Sequence, residues 1–321
     1  MGKLKAAQSL DSMLEDAAEQ GNGPKSRRAA RVRSIPVRPA AVDLPKHVLH
    51  AGPDGAIGRW LNKVHCGDCL ALMNEMPPCS VGAIVTSPPY NLRNSTGNGM
   101  KDGRGGKWAN ARLLDGYDGH DDAMPHGEYV AWQRECLTAM IRVLREDGAI
   151  FYNHKWRVQA GLLQDRSDIV QGFPVRQIVI WKRSGGINFN SGYFLPTYEV
   201  IYLICKPAFR LAPKANAMGD VWEIPQEVNN AHPAPFPAEL ARRCIKSTTA
   251  QIVLDPFLGS GTTAIAAEAC QRDWIGIELA VDYCKLATQR IERARKPPGC
   301  ATRAGGSRRG GMDRRRNRSG A

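Results

Sequence analysis

Short apolar runs alternate with helical patterns through the middle of the chain. The runs Lys63–Cys66, Val81–Thr86, Ala149–Asn153, Val175–Trp181, Tyr198–Cys205, Ile252–Asp255 and Trp274–Glu278 predict seven strands. Between them, Cys69–Met76, Tyr129–Leu144, Ala238–Ser247, Thr263–Cys270 and Val281–Arg295 predict helices. The last shows Val281, Cys284, Ala287 and Ile291 at helical spacing on one face. Strand and helix in alternation argue for an α/β sheet, mostly parallel. No helical pattern separates residues 175–181 from 198–205, so these predict an antiparallel pair ending the sheet. The ends read differently. Leu10–Ala18 allows a short amphipathic helix, residues 21–46 mix Gly, Pro, Arg and Ser, and residues 297–321 form a Gly/Arg tail unable to bury a face. The organisation expected is a disordered basic segment over 1–46, one globular domain over 47–295 and a disordered tail over 296–321.

Composition narrows the class. At 321 residues and 43% apolar content the chain has material for a real core. No apolar run nears the roughly 18 residues of a membrane span, and the N-terminus lacks an apolar signal region, so a cytoplasmic protein is expected. Nine scattered cysteines fit free thiols better than a disulfide framework. The net charge of +13 is unevenly placed. Residues 1–46 carry nine Lys/Arg against five acids, and residues 296–321 carry eight against Asp313 alone, leaving +2 for the rest. Basic tails raise non-specific affinity for polyanions, though a solvated tail without a specific partner reads the same way.

Two motifs carry chemistry. Asp255-Pro-Phe-Leu-Gly-Ser-Gly-Thr-Thr263 follows an apolar strand and opens an Ala-rich helix, a context in which glycines let backbone approach a ligand at a helix N-terminus. No Lys follows, which excludes the lysine-bearing phosphate loop. Glu278 ends the next apolar strand, 17 residues beyond Gly261, where a carboxylate can accept from ribose hydroxyls. Together these predict a nucleoside-cofactor site. Thr86-Ser-Pro-Pro-Tyr-Asn91 directly follows another strand. Its two prolines lack N–H groups and have fixed φ, so they predict a rigid ledge at the strand's carboxyl end, flanked by Ser87 and Tyr90.

This pairing resembles the S-adenosylmethionine-dependent DNA methyltransferases that modify exocyclic amines, the N4-cytosine and N6-adenine enzymes. The Pro-Pro-Tyr motif stands about 165 residues before the Gly-rich loop, similar to the permuted β order of that family. Cys66-Gly-Asp-Cys69 and His232-Pro-Ala-Pro-Phe-Pro237 match two further family elements, so the resemblance spans roughly residues 60–295. It implies a Rossmann-like methyltransferase fold with a seven-stranded, mostly parallel sheet, one antiparallel strand and a circularly permuted motif order. It implies S-adenosyl-L-methionine as cofactor, with Asp68 on its adenine and Glu278 on its ribose. Asp255, Phe257, Gly259, Ser260, Gly261 and Thr262 would shape the pocket, and Phe236 and Pro237 would close it. Ser87 and a carbonyl of the Pro88–Pro89 ledge would accept from the target amine while Tyr90 stacks on the extruded base. The expected chemistry is direct in-line displacement, with no covalent enzyme intermediate and no metal. The company expected is a restriction–modification system, although the sequence gives no sign of a nuclease.

Other readings of these residues are weaker. Pro78-Cys79 could suggest a carbon-5 cytosine enzyme, but it precedes its strand and so stands at the wrong end of the sheet. Cys66 and Cys69 have zinc spacing without a second pair. His154 and His232 read as structural, and Trp60, Trp132 and Trp156 as packing residues. Recognition must come from interruptions of the fold near 92–127 and 183–231. Lys101, Arg104 and Lys107 in the first are expected to contact DNA phosphates. The expected partners are DNA and, with assembly left open, a second copy of the chain; no membrane is expected. Ser87 favours cytosine N4, since family adenine enzymes usually carry Asp or Asn there. Adenine N6, an RNA target and a non-catalytic nucleic-acid-binding protein of the same fold are the alternatives.

Overall fold

In a computed structural model of the chain, the residues described are 55–91, 124–159, 161–184, 191–226 and 237–296. The expected Leu10–Ala18 helix, both tails and most of the first insertion lie outside them. The elements run α1 (Gly55–Gly58), β1 (Lys63–Cys66), α2 (Cys69–Glu75), β2 (Val81–Thr86), α3 (His126–Val143), β3 (Leu144–His154), β4 (Arg157–Gln159), β5 (Leu162–Gln164), α4 (Ser167–Val170), β6 (Val175–Lys182), β7 (Tyr198–Cys205), β8 (Val221–Glu223), α5 (Ala238–Lys246), β9 (Ile252–Asp255), α6 (Thr262–Ala269), β10 (Asp273–Glu278) and α7 (Val281–Arg295), with a 3₁₀ turn at Ala215–Ala217.

One sheet carries eight strands in the order β1-β10-β9-β2-β3-β7-β6-β8, and β4–β5 form a separate hairpin. Strands β1, β10, β9, β2 and β3 are parallel. Strand β7 runs antiparallel to both its neighbours, and β8 pairs parallel with β6. The pair expected to end the sheet is therefore next to last. Strand β8 is only three residues, Val-Trp-Glu, too short for an alternating pattern to register, and it folds part of the second interruption onto the sheet edge.

The central strands read as continuous apolar runs because both faces are covered. All six residues of β2 are buried, and they divide by the two-residue repeat. Ile84 packs with Met73, Leu137, Met140 and Tyr152 on one side. Ala83 and Val85 pack with Leu240, Ile245, Ala267 and Ile291 on the other. From the middle of the sheet the chain winds outward both ways, β9 to β10 and β2 to β3. The crevice at the carboxyl ends of β9 and β2 is thus the switch point, where ligands bind in open α/β sheets.

Candidate active site at the carboxyl edge of the sheet

The Gly-rich loop lies on the β9 side of that crevice. Asp255 ends β9 and is buried, with both carboxylate oxygens turned inward. One accepts from the Thr86 hydroxyl at 2.7 Å and the Phe257 N–H at 3.0 Å; the other accepts from the Thr263 hydroxyl at 2.6 Å. Burial raises its pKa to about 6, against the pull of those hydroxyl and amide donors. Asp255 therefore locks the loop to β2 one residue before Ser87.

Gly261 caps α6 at φ +87°, where a Cβ would also lie 3.3 Å from Ala287 and Ile291. No side chain caps the helix, so the first-turn N–H groups face the crevice end of the loop without intrahelical acceptors. Beside them the buried Thr262 hydroxyl has no partner among the described residues. An orphaned hydroxyl next to free amides fits a polar ligand there. Ser260 instead turns to α7, where Arg290 donates to both its carbonyl and its hydroxyl.

Glu278, at the end of β10, accepts from the Gly259 N–H at 2.8 Å and the Ala280 N–H at 2.9 Å. Burial pushes its carboxyl pKa up. Its own carbonyl accepts from Gly67 at 2.9 Å, which places Asp68 on the adjoining strand end. Asp68 is exposed and caps α2 through Ala71 N–H at 2.8 Å. Phe257 meets Trp132 of α3 edge-on at 5.7 Å, and Pro237 caps α5. Of the predicted cofactor residues, Asp68, Glu278 and the Asp255–Thr262 loop thus stand at three neighbouring strand ends, Ser260 turns to α7, Pro237 caps α5, and Phe236 lies outside the described residues.

The ledge follows β2. The Pro89 carbonyl is already occupied, accepting from Tyr129 Oη at 2.9 Å and Gln133 Nε2 at 3.3 Å, both on α3. Among the described residues nothing donates to the Pro88 carbonyl. Ser87 Oγ and Tyr90 Oη are 2.7 Å apart. Asn153, at the end of β3, donates to Ser87 Oγ at 3.3 Å, to Tyr90 Oη at 2.8 Å and to Glu199 Oε2 at 3.0 Å. Tyr90 donates to Glu199 Oε2 at 3.3 Å, and Arg183 pairs with Glu199 Oε1 at 3.2 Å. Behind them His154 packs on the Tyr90 ring at 4.8 Å and bonds Tyr129 Oη at 2.8 Å. Burial, then the charge of Arg166, depresses the His154 pKa to about 3, so the ring stays neutral.

Ser87, Pro88, Pro89 and Tyr90 follow directly on β2 at the carboxyl edge of the sheet. Sequence reasoning missed Asn153, Glu199, Arg183, Tyr129 and Gln133, each a polar residue outside any motif. A polar residue ending a strand with both faces buried, such as Asn153, was the one available signal. Cys79 precedes β2 and lies at the opposite edge of the sheet. Cys69 faces Cys136 across 3.8 Å, and no three His, Cys, Asp or Glu side chains among the described residues could share a metal. Lys101, Arg104 and Lys107 lie outside those residues.

A permuted Rossmann-like sheet with a Gly-rich loop and a Pro-Pro ledge facing each other across its switch point defines an amino-methyltransferase. Residues 81–289 match the DNA methylase family model of N6/N4 methyltransferases, and the chain belongs to that family. It is 26% identical over 292 residues to the type II methyltransferase M.BglII of Bacillus subtilis, covering 77% of this chain and 72% of that one. It is 26% identical over 270 residues to the type II methyltransferase M.ScaI of Streptomyces caespitosus, covering 70% and 80%. A Thermus thermophilus protein assigned as a DNA modification methylase, solved with S-adenosyl-L-methionine, superposes with a TM-score of 0.54 at 25% identity, covering 74% and 95%. The cytosine-N4-specific PvuII DNA methyltransferase shares the fold, with a TM-score of 0.55 at 19% identity and coverage of 72% and 90%. Among the described residues no helix is long and apolar enough to cross a membrane.

Proposed function

We propose that this chain methylates the N4 amine of cytosine in DNA, at a specific site, with S-adenosyl-L-methionine as methyl donor. The observation that carries the reading is Ser87, held by Tyr90 and Asn153 at the end of β2 beside the unengaged Pro88 carbonyl. An exocyclic amine is a poor nucleophile because its lone pair is delocalised into the ring. Two acceptors at one edge hold its two N–H bonds and favour a tetrahedral nitrogen, so alignment supplies most of the acceleration. Pro89 cannot serve, since Tyr129 and Gln133 hold its carbonyl and thereby fix the ledge. The base must leave the stack to reach this edge.

The donor supplies a methyl group on positively charged sulfur. Glu278 and Asp68 would hold its ribose and adenine, while Gly259, Gly261 and Thr262 take the polar end beside α6. Phe257 and Pro237 wall the pocket, with Phe236 next to Pro237 in sequence. Asp255 shapes it from behind. Lys101, Arg104 and Lys107 would bind phosphates, so replacing all three with Ala should flatten the salt dependence of DNA binding; an unchanged slope rejects that role.

The deciding experiment incubates the protein with unmethylated DNA of diverse sequence and methyl-deuterated donor, then digests to nucleosides for mass spectrometry. Label in N4-methyldeoxycytidine is expected. Label in N6-methyldeoxyadenosine would overturn the base assignment and leave the site chemistry standing.

A further inference from the structure

The methyl group arrives as a cation equivalent, so the target amine must shed a proton. Ser87 alone cannot keep it, because a serine hydroxyl is far too weak a base. The structure assigns the final acceptor: we propose that Glu199 takes that proton through the Tyr90 and Ser87 hydroxyls, a positioning and proton-accepting role resting on the amino-methyltransferase reading above.

The polarity of the chain follows from its end. A carboxylate can only accept, so Tyr90 gives its one hydrogen to Glu199 Oε2. Ser87 must then donate to Tyr90 across 2.7 Å. That leaves Ser87 a lone pair for the amine and makes it the acceptor that the chemistry requires. Asn153 reinforces the same direction, because its amide N–H groups face the serine, the tyrosine and the carboxylate. Its carbonyl oxygen, left buried without a partner among the described residues, is consistent with the carboxylate fixing the amide's orientation.

The balance closes within these groups. As the nitrogen–carbon bond forms, one N–H bond breaks and its proton passes to Ser87 Oγ. The serine proton passes to Tyr90 and the tyrosine proton to Glu199, which ends as a neutral acid. Both hydroxyls finish protonated, and the charge that came with the methyl group is neutralised on the carboxylate. Arg183 closes the β6 side, pairing with the other carboxylate oxygen of Glu199 at 3.2 Å. Among the described residues, the other charged or titratable groups facing Glu199 are Tyr90 from the ledge and Lys155 after β3, whose pKa burial lowers while Glu199 raises it. Protonating Glu199 beforehand lets it donate to Tyr90. That reverses the chain, points the Ser87 hydrogen at the amine and stops the reaction.

The test is single-turnover methyl transfer across pH with the full-length protein, its DNA and a saturating donor. Wild-type enzyme should lose rate on the acid side. Glu199→Gln should fall by about 10²–10³-fold and lose that acid limb, with dissociation constants for donor and DNA within about threefold of wild type. Tyr90→Phe, which leaves the Arg183 pair intact, should do the same and serves if Glu199→Gln does not fold. A Glu199→Gln or Tyr90→Phe rate within about threefold of wild type, or a slowed variant that keeps the acid limb, overturns the relay. Label absent from both bases with wild-type enzyme would instead remove the reading beneath it.

Discussion

Asp255→Asn should make the protein more resistant to unfolding at neutral pH, and the gain should appear only as pH rises. The Asp255 carboxyl has a pKa of about 6 in the fold against 3.8 for the unperturbed group, because burial outweighs its three donors. Below pH 3.8 folded and unfolded chains both hold the proton, and ionisation contributes nothing. From 3.8 to about 6 the unfolded chain releases it while the folded chain keeps it, so stability falls with rising pH. Above that window the loss is constant. Just over two pKa units correspond to about 3 kcal/mol. Asparagine resembles the neutral acid: its oxygen still accepts from Thr86 and Phe257, and its amide donates to Thr263, whose hydroxyl turns to the Val85 carbonyl at 3.5 Å. Urea unfolding of both proteins from pH 4 to 7.5, followed by tryptophan fluorescence, measures the gap between them. That gap should widen by about 3 kcal/mol, or ~6–12 °C in melting temperature for a domain of this size. A gap constant to within about 1 kcal/mol across the range would refute the reasoning, since every other titrating group cancels in the difference.

Three further outcomes are expected. His154, with its pKa depressed to about 3 by burial, stays neutral while the unfolded chain protonates below 6.5, so it stabilises the fold at neutral pH and loses that contribution as pH falls through this window. His154→Gln should flatten the acid limb of the stability curve by up to about 5 kcal/mol, read by the same unfolding series. Glu278→Gln replaces one acceptor with a donor opposite Gly259 or Ala280, and calorimetry should show donor affinity weakened by about 10–100-fold. Ser87→Ala removes one of the two proposed amine acceptors and should cut the single-turnover rate by about 10²–10³-fold with donor affinity unchanged.

Much of this architecture is legible in the residues because polar or rigid positions bound each apolar run. Strands β1, β2, β7 and β9 have the expected limits, and β2 ends where Ser87-Pro88 forbids continuation. Strand β3 begins earlier than its pattern suggests, since Leu144 ends α3 and starts the strand at once, and Arg145, Glu146 and Asp147 hide that start. In the site, the motifs mark the residues proposed to meet ligand and not those that hold them in place. Asp255 illustrates the limit, for nothing in Asp-Pro-Phe tells that both oxygens point to Thr86, Thr263 and a backbone amide. Glu199 was hidden for another reason. It stands second in its strand, and only the reversed direction of β7 brings a strand's beginning to the edge where β2 and β3 end.

The Thr86–Asp255 bond that joins the two halves of the site closes a separation of 169 residues, and Asn62 meets Asp273 across 211. Contacts that distant are slow to form, because loop closure must precede any gain from pairing. During synthesis from the amino end, β2, β3, β7 and β6 are made while β2 still lacks its β9 neighbour. A strand apolar on both faces then waits with an open edge, which is the circumstance that invites intermolecular pairing. The permuted motif order thus carries a kinetic cost: the pocket floor and the protection of the central strand arrive together, and late.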